Sequence, residues 1–319
     1  MPVRRPAVLA AALTLGLAVG SPGCGSSDHG PVENAAAPPR PRESEQIANG
    51  PVAPAPATAP LTLQLVGQPD VVQIHFGKAP RSGVLFDLDT GRVLWRKDPT
   101  RILPIASLTK MMTALVVADR VPEGAKVLVT KEALAYQGSG VGVLPKGKRV
   151  GVSAMLYGLL LPSGNDAAIA LAQRAAGSVG AFVTDMNARA QKMGLTCTQY
   201  SSSSGFDDAG NHSCAADLAV EARAILDQPR LARVVGRREA VLPFPIKGGK
   251  LYLYNNNPLL RMRYPGTLGI KTGFTDAAGR CLVAAVRRGS HRLGVVLLHS
   301  PDPGRQARQL LDRGFRALG

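Results

Sequence analysis

Aromatic residues are scarce in this chain. They make up 4% of it, with a single tryptophan, so a core has to be assembled from aliphatic side chains. Acidic residues are outnumbered, 22 against 38 basic, which leaves a net charge of +16. Residues 1–60 carry four of each sign, so the whole excess lies in 61–319, and such a surface favours anionic surroundings. A nucleic-acid partner is not indicated, because no basic helix with interleaved aromatics is present. The five histidines (His29, His75, His212, His291 and His299) show no metal-ligand spacing, which argues against a zinc site. No Gly-x-Ser-x-Gly elbow occurs, no cysteine has a local histidine signature for thiol catalysis, and no pattern calls for a cofactor. Beyond the N-terminus, no run is apolar enough to span a membrane.

What is present begins with a targeting segment. Arg4 and Arg5 precede an apolar or small-residue run from Ala7 to Val19, interrupted by Thr14 and too short to cross a bilayer comfortably, so 1–24 reads as a signal peptide. The segment ends in Ser21-Pro22-Gly23-Cys24, which resembles a bacterial lipobox whose cysteine receives a lipid anchor. Ser21 and Pro22 depart from that pattern, and the alternative is ordinary cleavage with free secretion. Residues 25–69 are rich in proline and alanine and read as a disordered tether. Its first 36 residues would reach at most ~110 Å in polyproline form.

A folded domain is expected over 70–319. Gly83–Leu88 and Arg92–Trp95 read as strands around the turn Asp89-Thr90-Gly91, with Trp95 packing at the hairpin. A helical block of about 112–228 follows, including a helix over Val152–Leu161 capped by Ser153, and helices over Asp166–Ala176 and Ala181–Lys192. From Ala240 the pattern returns to strands, among them Leu268–Lys271, Leu282–Val286 and Leu293–Leu298, and a helix over Asp302–Ala317 closes the chain. Strands from both ends with helices inserted between them imply an α/β fold. It is an antiparallel sheet flanked by helices, with an all-helical subdomain.

The run from Pro104 to Ala118 places Leu108, Met111, Met112, Leu115 and Val116 at helical spacing. Pro104 suits the first turn of such a helix. Lys110 then lies one turn beyond Ser107 on the same face. A serine becomes a nucleophile when a neighbouring base takes its proton. Lysine serves as that base when the positive end of a helix, desolvation or a second cation lowers its pKa. Alone, the tetrad reads equally as a helix start with an exposed lysine. Two further motifs decide the matter: Ser163-Gly164-Asn165 in the turn after a helix, and Lys271-Thr272-Gly273 at the end of a strand.

These three motifs in this order resemble the penicillin-binding proteins and class A β-lactamases. Over about 80–319 the chain resembles the low-molecular-mass D-alanyl-D-alanine carboxypeptidases, whose fold is β-lactamase/transpeptidase-like. The blocks Leu103–Thr113, Leu161–Ala168, Gly205–Ser213 and Pro265–Thr275 carry that likeness. It implies acyl transfer on peptidoglycan stem peptides, with Ser107 as nucleophile, Lys110 as its base, and Ser163 and Lys271 relaying a proton to the leaving D-alanine. The backbone N–H groups of Ser107 and Phe274 would hold the oxyanion, and Asn165 would bind the amide of the acyl side. Thr272, Gly273 and Thr275 would line the strand along which the peptide lies. Arg305 would grip the terminal carboxylate, its alternative being a helix-surface arginine. β-Lactams would be covalent inhibitors.

Efficient β-lactam hydrolysis is not expected, because no glutamate occurs between Glu132 and Glu221 and the following loop offers only Asp207 and Asp208. A D,D-endopeptidase, a β-lactamase and a non-catalytic wall-binding protein remain alternatives on the same scaffold. Cys197 and Cys214, 17 positions apart in the family-like loop of an exported chain, are expected to form a disulfide, the alternative being two buried thiols. Cys281 reads as a free core residue. The chain is expected on the outer face of the cytoplasmic membrane or in the wall.

Overall fold

The computed structural model describes residues 61–67, 69–206 and 210–319. The signal segment, Cys24, the tether up to residue 60, and Asp207 and Asp208 lie outside the described residues. The chain opens with β1 (Ser82–Asp87) and β2 (Val93–Lys97), then β3 (Leu103–Pro104), a 3-10 turn (Ala106–Thr109) and α1 (Lys110–Arg120). The middle contains β4 (Lys126–Leu128), α2 (Lys131–Leu134), β5 (Arg149–Gly151), α3 (Val152–Leu160), α4 (Asn165–Ala176) and α5 (Val179–Lys192). It ends with β6 (His212–Ser213), α6 (Ala215–Asp227) and α7 (Pro229–Val235). Then come β7 (Glu239–Pro243), β8 (Lys250–Tyr254), α8 (Pro258–Arg261), β9 (Thr267–Thr275), β10 (Gly279–Arg288), β11 (His291–Leu298) and α9 (Pro303–Leu318).

One five-stranded antiparallel sheet, in the order β2-β1-β11-β10-β9, joins the two ends of the domain. Side chains alternate across it, as the two-residue period of a strand requires. Leu85, Leu282, Ala284, Leu293, Val295 and Leu297 face α9, where Leu310, Leu311 and Phe315 cover them. Val84, Phe86, Val283, Ala285 and Val296 face the helical block instead. Helix α1 is the centre of that block. Every residue from Lys110 to Val117 is buried, because α3, α4, α5, α6 and α7 all pack around it.

Several local expectations are corrected. Pro104 lies in β3, paired with His212, and the helix begins at Lys110 after the 3-10 turn. The residue before α3 is Gly151, with no side-chain cap; Ser153 is inside the helix. The helical block runs from Lys110 to Val235, past the expected end near 228. Strand β9 continues through Gly273 to Thr275.

Packing also begins earlier than residue 70. Leu61 joins the main core, and the Gln64 N–H donates to the Gly91 carbonyl at 2.9 Å. Farther along, the Val72 N–H donates to the Leu94 carbonyl, and the Asp70 carboxylate accepts from the Arg96 N–H and pairs with its guanidinium at 2.9 Å. The turn that receives this segment is held by Asp87, whose carboxylate accepts from the Asp89 and Thr90 N–H groups and the Thr90 hydroxyl. Gly91 has φ +74°, and a Cβ there would sit 2.0 Å from the Thr62 carbonyl oxygen. Gly91→Ala is therefore expected to cost about 1–3 kcal/mol and to loosen the segment from Leu61 onward. A lowered thermal midpoint and earlier proteolytic cutting before residue 76 would show it; an unchanged midpoint would count against this packing.

Candidate active site

The 3-10 turn carrying Ser107 is entered through Ala106, a non-glycine residue with φ +48°. Such a conformation persists only where its surroundings over-determine it. Here two glycines let neighbouring backbone press on the turn. A Cβ on Gly205 (φ +72°) would lie 2.1 Å from the Ala106 carbonyl oxygen and 2.5 Å from Thr109 Oγ1. On Gly273, in β9, it would lie 2.8 Å from the Ile105 carbonyl oxygen and 3.2 Å from the Ser107 nitrogen. The motif glycine thus brings the edge of the sheet against the backbone of Ser107.

Lys110 is fully buried directly behind that turn. Its Nζ lies 2.9 Å from Ser107 Oγ, 2.6 Å from Asn165 Oδ1 and 2.8 Å from the Ser204 carbonyl oxygen. Burial pushes its pKa well below the ordinary lysine value, and the positive charge of Lys271 pushes the same way, while Asp166 opposes. An uncharged amine suits this geometry. Its two hydrogens go to the Asn165 and Ser204 oxygens, and its lone pair is left for the Ser107 hydroxyl. The arrangement is that of a serine with a base already in place.

Lys271, in β9, is also buried, and its Nζ donates to the Thr272 carbonyl at 2.8 Å. Burial brings its pKa down to about 7. Ser163 is buried with φ +72°, and its Oγ has no hydrogen-bond partner among the described residues. The hydroxyl is therefore not engaged in packing and stays available on the wall of the cleft. Ser139 Oγ steadies Ser163 by donating to its carbonyl at 2.9 Å. Asp166 in turn holds the loop containing Ser139, accepting from the Val141 N–H at 2.9 Å and the Gly142 N–H at 3.1 Å.

These elements floor a cleft of about 910 Å³. Ser107, Ser163, Thr272, Gly273, Phe274 and Arg305 line it, together with Ser139, Phe206, Arg261, Arg280 and Arg308. Thr275 and Asn165, expected as substrate contacts, are not among the residues lining it. Thr275 Oγ1 accepts from the Ala278 N–H in the turn after β9. Asn165 is 2% exposed, and both ends of its carboxamide are engaged, Oδ1 by Lys110 and Nδ2 by the Gln137 carbonyl. Its carboxamide is thus engaged with the lysine and is not among the residues that line the cleft. Sequence reasoning missed Ser139 and the carbonyls of Gln137 and Ser204. No motif marks the first, and a backbone carbonyl leaves no residue signature.

The Cys197 and Cys214 sulfurs are bonded to each other. The segment leaving Cys197 is fastened to α1 and α6. The Ser203 carbonyl accepts from Thr113 Oγ1 at 2.7 Å, the Asp217 carboxylate accepts from the Cys197 N–H at 2.7 Å, and the Tyr200 hydroxyl donates to Glu221 at 2.6 Å. Burial raises the Glu221 carboxyl to about 8. Cys281 is a buried free thiol pushed up to about 12 by burial.

The depressed lysine pKa values make stability depend on pH. Between about 7 and the ordinary lysine value of 10.5, Lys271 is neutral in the folded chain and protonated in the unfolded one. The unfolded state then binds more protons, so stability rises with pH, by on the order of 1 kcal/mol per unit from this group. Denaturant midpoints at pH 7 and pH 9 should show a smaller rise in Lys271→Met than in the parent chain; equal rises would refute the burial of a neutral amine.

With this geometry in view, the sequence matches the profile of the D-alanyl-D-alanine carboxypeptidase family over residues 72–302. The chain is 34% identical over 243 residues to D-alanyl-D-alanine carboxypeptidase DacF of Bacillus subtilis, covering 74% of this chain and 62% of that protein. It is 36% identical over 240 residues to DacB2 of Mycobacterium tuberculosis, covering 73% and 81%. Among solved structures, a D-alanyl-D-alanine carboxypeptidase from Mycobacterium tuberculosis superposes with TM-score 0.70 at 33% identity, covering 81% of this chain and 96% of that one. A variant of the Streptomyces K15 DD-transpeptidase gives TM-score 0.70 at 31% identity, covering 75% and 98%. With three motifs gathered in one cleft and this extent of likeness, the chain belongs to the D-alanyl-D-alanine carboxypeptidase family.

Proposed function

We propose that this chain is a serine-type D-alanyl-D-alanine carboxypeptidase that removes the terminal D-alanine from peptidoglycan stem peptides. The observation that carries the reading is the buried Lys110 amine 2.9 Å from Ser107 Oγ, its other two neighbours being the Asn165 and Ser204 oxygens. Ser107 Oγ attacks the carbonyl carbon of the penultimate D-alanine as Lys110 takes the hydroxyl proton. The oxyanion is held by the Ser107 and Phe274 N–H groups. A proton then reaches the departing D-alanine nitrogen through Ser163 and Lys271, and the C–N bond breaks to leave an acyl-Ser107 ester. Water attacks that ester and frees the enzyme.

Substrate binding follows from the cleft. The exposed edge of β9 at Thr272–Phe274 receives the peptide backbone as an added strand. The planar Arg305 guanidinium takes the terminal carboxylate bidentately. Asn165, engaged by Lys110 and the Gln137 carbonyl, is a positioning residue for the base. The same nucleophile opens β-lactams to a stable ester. Rapid hydrolysis of that ester needs a base near it, and Glu221 does not serve, being buried against the Tyr200 hydroxyl.

Export follows from the N-terminal signal. Lipidation of Cys24 would leave residues 25–60 as a tether holding the domain of 61–319 at the outer face of the membrane or in the wall. Cys24→Ala should abolish metabolic lipid labelling and release the protein; a label that persists in this variant would refute the anchor.

The activity is tested by D-alanine release from a diacyl tripeptide ending in D-Ala-D-Ala, together with a covalent adduct with fluorescent penicillin. Ser107→Ala should lose both, and Lys110→Met should slow acylation by about 10²–10⁴-fold. In the parent chain, acylation should fall on the acid side as Lys110 takes up a proton and no longer accepts the serine's. An adduct in Ser107→Ala, or penicillin binding without any D-alanine release, would overturn the proposal.

A further inference from the structure

Exposed aromatic rings are rare on this chain. Among the described residues only Tyr252, Tyr254 and Phe274 are both aromatic and well exposed, and Phe274 belongs to the cleft. The two tyrosines, 59% and 64% exposed, stand on β8, in the hairpin that β8 forms with β7. Two residues apart on one strand, they share a face and lie about 6.8 Å apart along it. Val241, 53% exposed, is paired across the ribbon with Tyr252 and widens the same face. The opposite face holds the hairpin down, with Leu251, Leu253 and Phe244 buried in the main core. Exposed apolar faces of this kind mark interaction sites.

The hairpin runs directly into the cleft. Buried Asn255 closes its base, the N–H donating to the Arg238 carbonyl at 2.8 Å and Nδ2 to the Arg237 carbonyl at 2.9 Å. Asn256 then lines the cleft. Its N–H donates to the Leu161 carbonyl at 3.1 Å and its Nδ2 to the Pro162 carbonyl at 3.2 Å, in the turn that carries Ser163. Only Asn255 stands in the chain between Tyr254 and that cleft-lining residue. The surroundings are cationic: Glu239 is the only acidic residue between Asp227 and Asp276, and it pairs with Arg238 at 3.5 Å. Lys247 and Lys250, toward the tip of the hairpin, are exposed, and no carboxylate pairs with either among the described residues.

We propose that the face of Val241, Tyr252 and Tyr254 is a platform for the glycan chain of the wall polymer, the sugar backbone to which a stem peptide in the cleft is attached. The inference rests on the reading of this chain as a peptidase of peptidoglycan stems. A sugar ring has a face of C–H groups that lies flat on an aromatic ring, and a rim of hydroxyls that tyrosine hydroxyls and water satisfy. Two aromatic rings in line suit a linear polymer of such units. The stems along that polymer carry carboxylates, which Lys247 and Lys250 attract. A membrane surface fits this face less well, because its three side chains include no Trp, Phe or Leu to enter the acyl boundary.

The test has two arms, both on the full chain. The first measures the affinity for soluble glycan strands stripped of their stem peptides, where Tyr252→Ala and Tyr254→Ala should each weaken binding roughly five- to tenfold. The second compares kcat/KM for D-alanine release from stems still attached to glycan strands and from a diacyl tripeptide. The same variants should lower the first value and leave the tripeptide value and the rate of penicillin adduct formation unchanged. Should an alanine variant fail to fold, Tyr252→Thr and Tyr254→Thr, which suit a strand, serve in its place. A parent chain that ignores stripped glycan, variants that bind it as the parent does, or binding to phosphatidylglycerol vesicles in place of glycan would each overturn the platform and leave the peptidase reading standing. Absence of D-alanine release from both substrates would overturn that reading, and the stripped glycan, whose binding needs no catalysis, still judges the platform.

Discussion

An ammonium group sealed away from water must find a counter-charge or lean toward losing its proton, and burial together with the charge of Lys271 drives Lys110 toward the neutral amine. Most of the domain bears on that one requirement. Helix α1 is enclosed by five other helices, so the first residue of that helix has no path to solvent. The polar atoms around Nζ are then supplied separately: Asn165 from the start of α4, the Ser204 carbonyl from the disulfide-closed segment, and the Ser107 hydroxyl from the turn before α1. Each is held by a further contact, the Gln137 carbonyl for Asn165, Thr113 for the Ser203 carbonyl, and Gly205 and Gly273 for the turn. A second lysine from the sheet, itself near neutrality, adds to the pressure on the first.

Much of this was legible in the residues. The strands around Asp89-Thr90-Gly91 and the hairpin of β10 and β11 follow from period-two apolar patterns broken by turn residues, and they lie where those patterns put them. The family and the architecture were carried by three short motifs whose side-chain types are specific. What escaped has physical causes. Pro104 satisfies the opening of a helix and the edge of a two-residue strand equally well, since both tolerate a missing N–H. Ser153 has the chemistry of a cap, yet Gly151 takes the boundary without one.

The site was legible in side chains and illegible in backbone. Ser107, Ser163 and Arg305 line one cleft, and Lys110 and Lys271 are buried behind it. Thr275 shares the buried face of β9 with Lys271 and Gly273, and it differs because it falls where the strand turns into β10 and its hydroxyl accepts from the Ala278 N–H. The carbonyls of Gln137 and Ser204 belong to loops whose side chains say nothing about where their oxygens point. A position that acts through its main chain is invisible to any reading of residue types.

The stretch from Leu61 to Phe76 has a consequence beyond the cleft. It lies along β2, so the Leu94 carbonyl and the Arg96 N–H are occupied by the chain's own beginning. The same residues would join whatever precedes them to the catalytic body, so a pull on the N-terminus is borne first by this seam. If it peeled away, one border of the sheet would be left able to recruit strands from other copies, a route to aggregation that well-behaved proteins guard against. From Leu61 onward the chain is bound to the catalytic body, and this stretch serves as a selvedge that keeps the sheet from fraying.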